Sequence, residues 1–118
     1  MIVATKFFPL PWRWTKASVT RALRASLERL GLDRVDLYQI HWPSGVVPLE
    51  ATYRTLEDLR REGKVRWLGV SNFGVSYLDE LLALGRVESN QAPYSLLWRA
   101  VEFEIVPRCV RDRVGILC

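Results

Sequence analysis

Short β-branched runs alternate with longer amphipathic segments along this chain, and that alternation limits its possible folds more than any other feature. Residues 2–6 read as a strand, and residues 35–41 as a second one that is apolar almost throughout. Residues 65–70, 87–91 and 114–117 continue the series. Between the first two strands, residues 15–30 place Val19, Leu23, Leu27 and Leu30 on one helical face. Residues 49–62 do the same with Leu49, Tyr53, Leu56 and Leu59, and residues 75–84 with Val75, Leu78, Leu81 and Leu82. Gly31, Gly63 and Gly85 follow these segments, where glycine commonly ends a helix. A fourth helix ends near Asp112 and holds Pro107 in its first turn, where a missing N–H is tolerated.

Strands apolar on both faces, each followed by a helix, belong to a parallel sheet covered by helices. An open doubly wound sheet and a closed (β/α)8 barrel both satisfy that pattern. The open nucleotide-binding sheet carries a glycine-rich turn after a strand. No βα turn here is glycine-rich, which favours the barrel. A complete barrel has eight strands and about 250 residues, whereas these 118 residues supply about five strands and four helices. The expected fold is α/β, a partial (β/α)8 TIM barrel. Residues 1–118 form one piece of a larger barrel domain without an internal boundary, and the outer strands carry bare edges.

Composition narrows the function classes. Hydrophobic residues make up 49% and charged residues 25%, the balance of a folded chain. No apolar run approaches the roughly 20 residues of a membrane span, and the first residues do not look like a secretory leader. The net charge of +4 raises the question of nucleic acid. The arginines, however, alternate with acids on helical positions, as in Arg60-Arg61-Glu62 and Arg111-Asp112-Arg113, which marks a solvated face. Neither a membrane nor a nucleic-acid partner is expected, although the surplus suits a phosphorylated cofactor. Cys109 and Cys118 are too few for a disulfide framework and are expected to fill core space. A reducing, cytoplasmic setting and no metal site follow from that reading.

Barrel enzymes place their chemistry at the C-terminal ends of the strands. Here those ends deliver Lys6, then His41 followed by Trp42, then Ser71 and Asn72, then Asn90 and Gln91. Each has an ordinary structural explanation. Lys6 could be solvated, His41 could be a hydrogen-bonded core group, Ser71 or Asn72 could cap a helix, and Asn90-Gln91 could be a plain strand exit. Four consecutive strand ends with hydrogen-bonding side chains on one rim make a shared site the stronger reading. The loop Phe7-Phe8-Pro9-Leu10-Pro11-Trp12-Arg13-Trp14 either supplies aromatic walls for a substrate, through Trp12, or packs on strands or loops of the larger barrel outside these residues.

The segment Asp36-Leu37-Tyr38-Gln39-Ile40-His41-Trp42-Pro43, preceded by Ser26-Leu27-Glu28-Arg29-Leu30, resembles the central signature of the aldo-keto reductases. Gly63-Lys64-Val65-Arg66-Trp67-Leu68-Gly69-Val70-Ser71-Asn72-Phe73 resembles a second signature, and Ser89-Asn90-Gln91-Ala92-Pro93-Tyr94-Ser95 a third. Ala4-Thr5-Lys6-Phe7 resembles the strand that carries the family's catalytic lysine. The resemblance implies hydride transfer between NADPH and an aldehyde or ketone, using a tetrad of tyrosine, lysine, histidine and aspartate. It makes Lys6 and His41 two of the four, assigns Ser71, Asn72 and Gln91 to the nicotinamide carboxamide, and lines the substrate pocket with Trp42. A developing alkoxide needs a proton donor, and an ammonium beside a tyrosine lowers a pKa that is otherwise near 10.

The pattern also implies what these residues lack. The tetrad's aspartate and tyrosine belong to an upstream region, and none of Tyr38, Tyr53, Tyr77 or Tyr94 matches that position. The tyrosine that stacks on the nicotinamide and the basic phosphate loop belong downstream. The 118-residue polypeptide alone is therefore expected to show no turnover. Two rival readings remain: a Schiff-base lyase with Lys6 as nucleophile, and a non-catalytic cofactor-binding or regulatory protein on the same fold.

Overall fold

A computed structural model describes residues 1–13 and 15–118. Trp14, the end of the aromatic loop, lies outside the described residues. The strands β1 (Ala4–Phe7), β2 (Val35–Ile40), β3 (Val65–Ser71), β4 (Ser89–Gln91) and β5 (Gly115–Leu117) form one sheet in sequential order, all neighbours parallel. Helices α1 (Lys16–Leu30), α2 (Leu49–Arg61), α3 (Val75–Leu84) and α4 (Ile105–Asp112) connect them. This is the expected α/β arrangement of five parallel strands and four helices.

Local chemistry sets the helix limits. Thr15 caps α1 by accepting a hydrogen bond from the Ser18 N–H at 3.2 Å, and Gly31 ends it at φ 66°. Pro107 is the third residue of α4, inside the first turn. The core lies between the helices and the outer face of the sheet, where Phe7, Tyr38, Ile40, Leu68 and Val70 meet Val19, Leu23, Leu56, Leu59, Leu78 and Leu81. Burying a side chain of this size contributes about 1.5–3 kcal/mol. Leu30, expected on the buried face of α1, is instead exposed, because the helix ends there and Leu27 supplies the last core contact.

Cys109 fills core space as expected, whereas Cys118 is exposed beyond β5. The segment after β4 holds two elements that its composition does not announce: an isolated bridge between Ser95 and Trp98, and a short 3-10 helix at Ala100–Glu102. Among the described residues no helix is long and apolar enough to cross a membrane. No cluster of His, Cys, Asp and Glu suited to a metal ion occurs among them either.

Candidate active site

Side chains of a strand alternate between faces, so the register decides which residues share the inner face of the sheet. Lys6 pairs with Gln39, Gln39 with Gly69, Gly69 with Ser89 and Ser89 with Gly115, making one row across all five strands. The next row, Phe7, Ile40, Val70, Asn90 and Ile116, turns to the helices. Two positions up from Gln39, the inner face resumes with His41, then Ser71, Gln91 and Leu117. His41 follows the last residue of β2 but stays on the ladder, because its N–H donates to the Phe7 carbonyl at 2.9 Å. The structure thus brings His41, Ser71 and Gln91 into one row, with Lys6 one row below.

Lys6 acts on His41 through charge. Desolvation lowers the His41 pKa below its ordinary value, and the Lys6 ammonium lowers it further. Two aromatic rings supply the apolar surroundings. Phe8 meets the imidazole edge-on at 5.3 Å and 87°, and Trp42 lies nearly parallel to it at 6.1 Å. A neutral imidazole in such a setting can hydrogen-bond a carbonyl oxygen.

Asn72 ties the row together. Its N–H donates to the Gln91 carbonyl at 2.8 Å. Its side-chain amide donates to the His41 carbonyl at 3.2 Å and to the Ser71 hydroxyl at 3.0 Å. Capping is not the role of Ser71 or Asn72, since the cap of α3 is Gly74 without any side-chain bond. Asn90 does something different from its neighbour Gln91. Fully buried, it donates to the Phe73 carbonyl at 2.9 Å and accepts from the Phe73 N–H at 3.4 Å, so it braces the β3–α3 turn.

Trp12 is not brought to this rim. A tight turn, in which the Arg13 N–H donates to the Leu10 carbonyl at 2.7 Å, sends the chain back over α1. There Trp12 lines a cleft with Arg13, Ser18, Arg21, Ala22 and Ala25. Of the two tryptophans proposed from sequence for a substrate wall, only Trp42 stands beside His41. Phe8 takes the second place, and the period-two alternation from Lys6 could have singled it out.

The sequence profile described as "Aldo/keto reductase family" matches residues 1–118. The chain belongs to the aldo/keto reductase family. Among curated family members, aldo-keto reductase YhdN of Bacillus subtilis is 35% identical over 102 residues, covering 86% of this chain and 31% of its own length. The NADH-specific methylglyoxal reductase of Escherichia coli is 39% identical over 95 residues, covering 78% of this chain and 29% of its own length. An aldo-keto reductase structure from Klebsiella pneumoniae in complex with NADPH superposes with a TM-score of 0.87 at 32% identity. That match covers 98% of this chain and 40% of the other. The chain therefore spans about a third of the curated relatives it matches, and its sheet is part of the aldo/keto reductase (β/α)8 barrel.

Proposed function

We propose that this segment supplies the histidine, lysine and carboxamide-binding side of a carbonyl-reducing site that uses NADPH and takes an aldehyde or ketone. The observation that carries this reading is the shared inner row of His41, Ser71 and Gln91, joined by Asn72, with the Lys6 charge acting on His41 from the row below.

The donors and acceptors fit a nicotinamide carboxamide. Ser71 accepts from Asn72, so its own proton is directed elsewhere and can be donated to an amide carbonyl. The Asn72 side-chain oxygen and the Gln91 carboxamide hold no hydrogen bond among the described residues and can accept from and donate to the same group. When bound, the cofactor supplies the hydride. The protein's residues do the rest. His41 orients the carbonyl oxygen through its neutral imidazole, Trp42 and Phe8 flank that imidazole with apolar rings, and Lys6 depresses the pKa of a neighbouring proton donor.

That donor is not one of this segment's tyrosines. Tyr38 is buried in the core, Tyr53 donates to the Arg86 carbonyl, Tyr77 packs on Phe73 and Tyr94 donates to Glu102. The 118-residue polypeptide is therefore expected to bind a nicotinamide weakly and to reduce nothing. The test is an NMR titration with NADPH and NADH. Selective shifts at Ser71, Asn72 and Gln91 support the reading, and the stronger of the two titrants identifies the cofactor. Absence of any shift there at millimolar cofactor, or steady carbonyl-dependent NADPH oxidation by the polypeptide, overturns it.

A further inference from the structure

His41 lies just past the end of β2, where a strand residue has few main-chain partners left. Its N–H is taken by the Phe7 carbonyl of β1, and its carbonyl by the side chain of Asn72 beyond β3. These two bonds, one on each flank, are what hold the imidazole's backbone.

Asn72 carries a conformational cost to make its bond. Its φ is 61°, in the left-handed region that glycine enters freely and other residues enter under strain, asparagine among the least. If the turn required only that backbone shape, glycine would serve. What glycine lacks is the amide, whose two hydrogens meet two acceptors. The orientation of that amide is fixed chemically, because the His41 carbonyl can only accept and so must face the NH2 end. The Asn72 N–H meanwhile holds the Gln91 carbonyl, which extends the same tie to β4.

We propose that Asn72 is the positioning residue for His41, fixing its main chain from the β3 side and linking that placement to Ser71 and Gln91. A ligand group that engages Ser71 or Gln91 thereby also restrains His41, so the carboxamide side of the site and the carbonyl side are mechanically coupled. This second step rests on the function proposed above; the positioning itself does not.

His41 is the chain's only histidine, so its ring gives a single set of NMR signals. In Asn72→Gly, which keeps the left-handed backbone, the ring resonances are expected to move toward solvent-exposed values and the contact with the Phe8 ring to weaken. Asn72→Asp, which cannot donate, is expected to do the same. A purely structural role would alter Tyr38 and Phe73 core signals instead. A folded Asn72→Gly chain with unchanged His41 shifts and Phe8 contact overturns the proposal. So does fast solvent exchange of the Asn72 side-chain amide in the unaltered chain, a measurement that stands whether or not the variants fold. Adding NADPH separates the two readings: no shift at Ser71 and Gln91, with a His41 that still responds to Asn72 substitution, removes the cofactor assignment and leaves the positioning role.

Discussion

Gly69 and Ser89 face each other across β3 and β4, and a Cβ at Gly69 would fall 2.5 Å from the Ser89 hydroxyl oxygen. Gln39 Cγ and Leu37 Cδ1 would each stand 3.1 Å from it. Gly69→Ala is expected to destabilise the chain by about 1–3 kcal/mol through overpacking. Ser89→Ala removes the closest obstacle together with a buried hydroxyl that has no hydrogen-bond partner among the described residues. The double variant should recover part of the loss, and denaturant unfolding of the four-member cycle measures the coupling. Strict additivity would refute the packing argument.

Asn90 serves the main chain of Phe73 with both ends of its amide. Asn90→Ala leaves a buried N–H and a buried C=O unsatisfied and is expected to cost on the order of 2 kcal/mol or more. Urea unfolding of Asn90→Ala beside Asn90→Asp tests this, the aspartate keeping the acceptor but losing the donor. A loss below about 0.5 kcal/mol would show that water replaces the amide.

Protonation of His41 should track Lys6. Burial, and then the Lys6 charge, holds the folded pKa below the ordinary 6.5. The unfolded chain therefore binds the proton first as pH falls, and folded stability drops as pH descends from 6.5 through the folded value. Lys6→Met removes the repulsion and is expected to raise the His41 pKa while leaving it below 6.5, since burial remains. NMR titration of the single histidine reads both values. An unmoved pKa in Lys6→Met would separate the two side chains and weaken the shared site.

Tyr53 gives an alkaline signature. Burial, with the Glu57 carboxylate adding to it, pushes its pKa up to about 12, above the ordinary 10. A folded pKa above the unfolded one means stability is complete below pH 10 and is lost as pH rises toward the folded value. Burial raises Tyr38 in the same direction. Tyr53→Phe should cost about 1 kcal/mol at neutral pH through the lost bond to the Arg86 carbonyl. It should also flatten the alkaline decline, which thermal unfolding across that pH range would reveal.

Much of this was legible along the chain. The spacing of Val19, Leu23 and Leu27, and of Tyr53, Leu56 and Leu59, fixes two helices and their buried faces, because a helical repeat is a property of neighbouring residues. Lys6, His41, Ser71 and Gln91 could be found at strand ends for the same local reason. Their vertical relation could not. Which residue of β1 stands beside which residue of β2 depends on packing between segments some 30 positions apart, and that places Lys6 beside Gln39 and one row beneath His41. Trp12 shows the limit from the other side: its composition suits a substrate wall, but one turn at Leu10 carries it onto α1. Asn72 shows it most clearly. Sequence marked the residue, while only the folded chain set its left-handed backbone and aimed its amide at His41, since hydrogen bonds between strands exist only once the register is set.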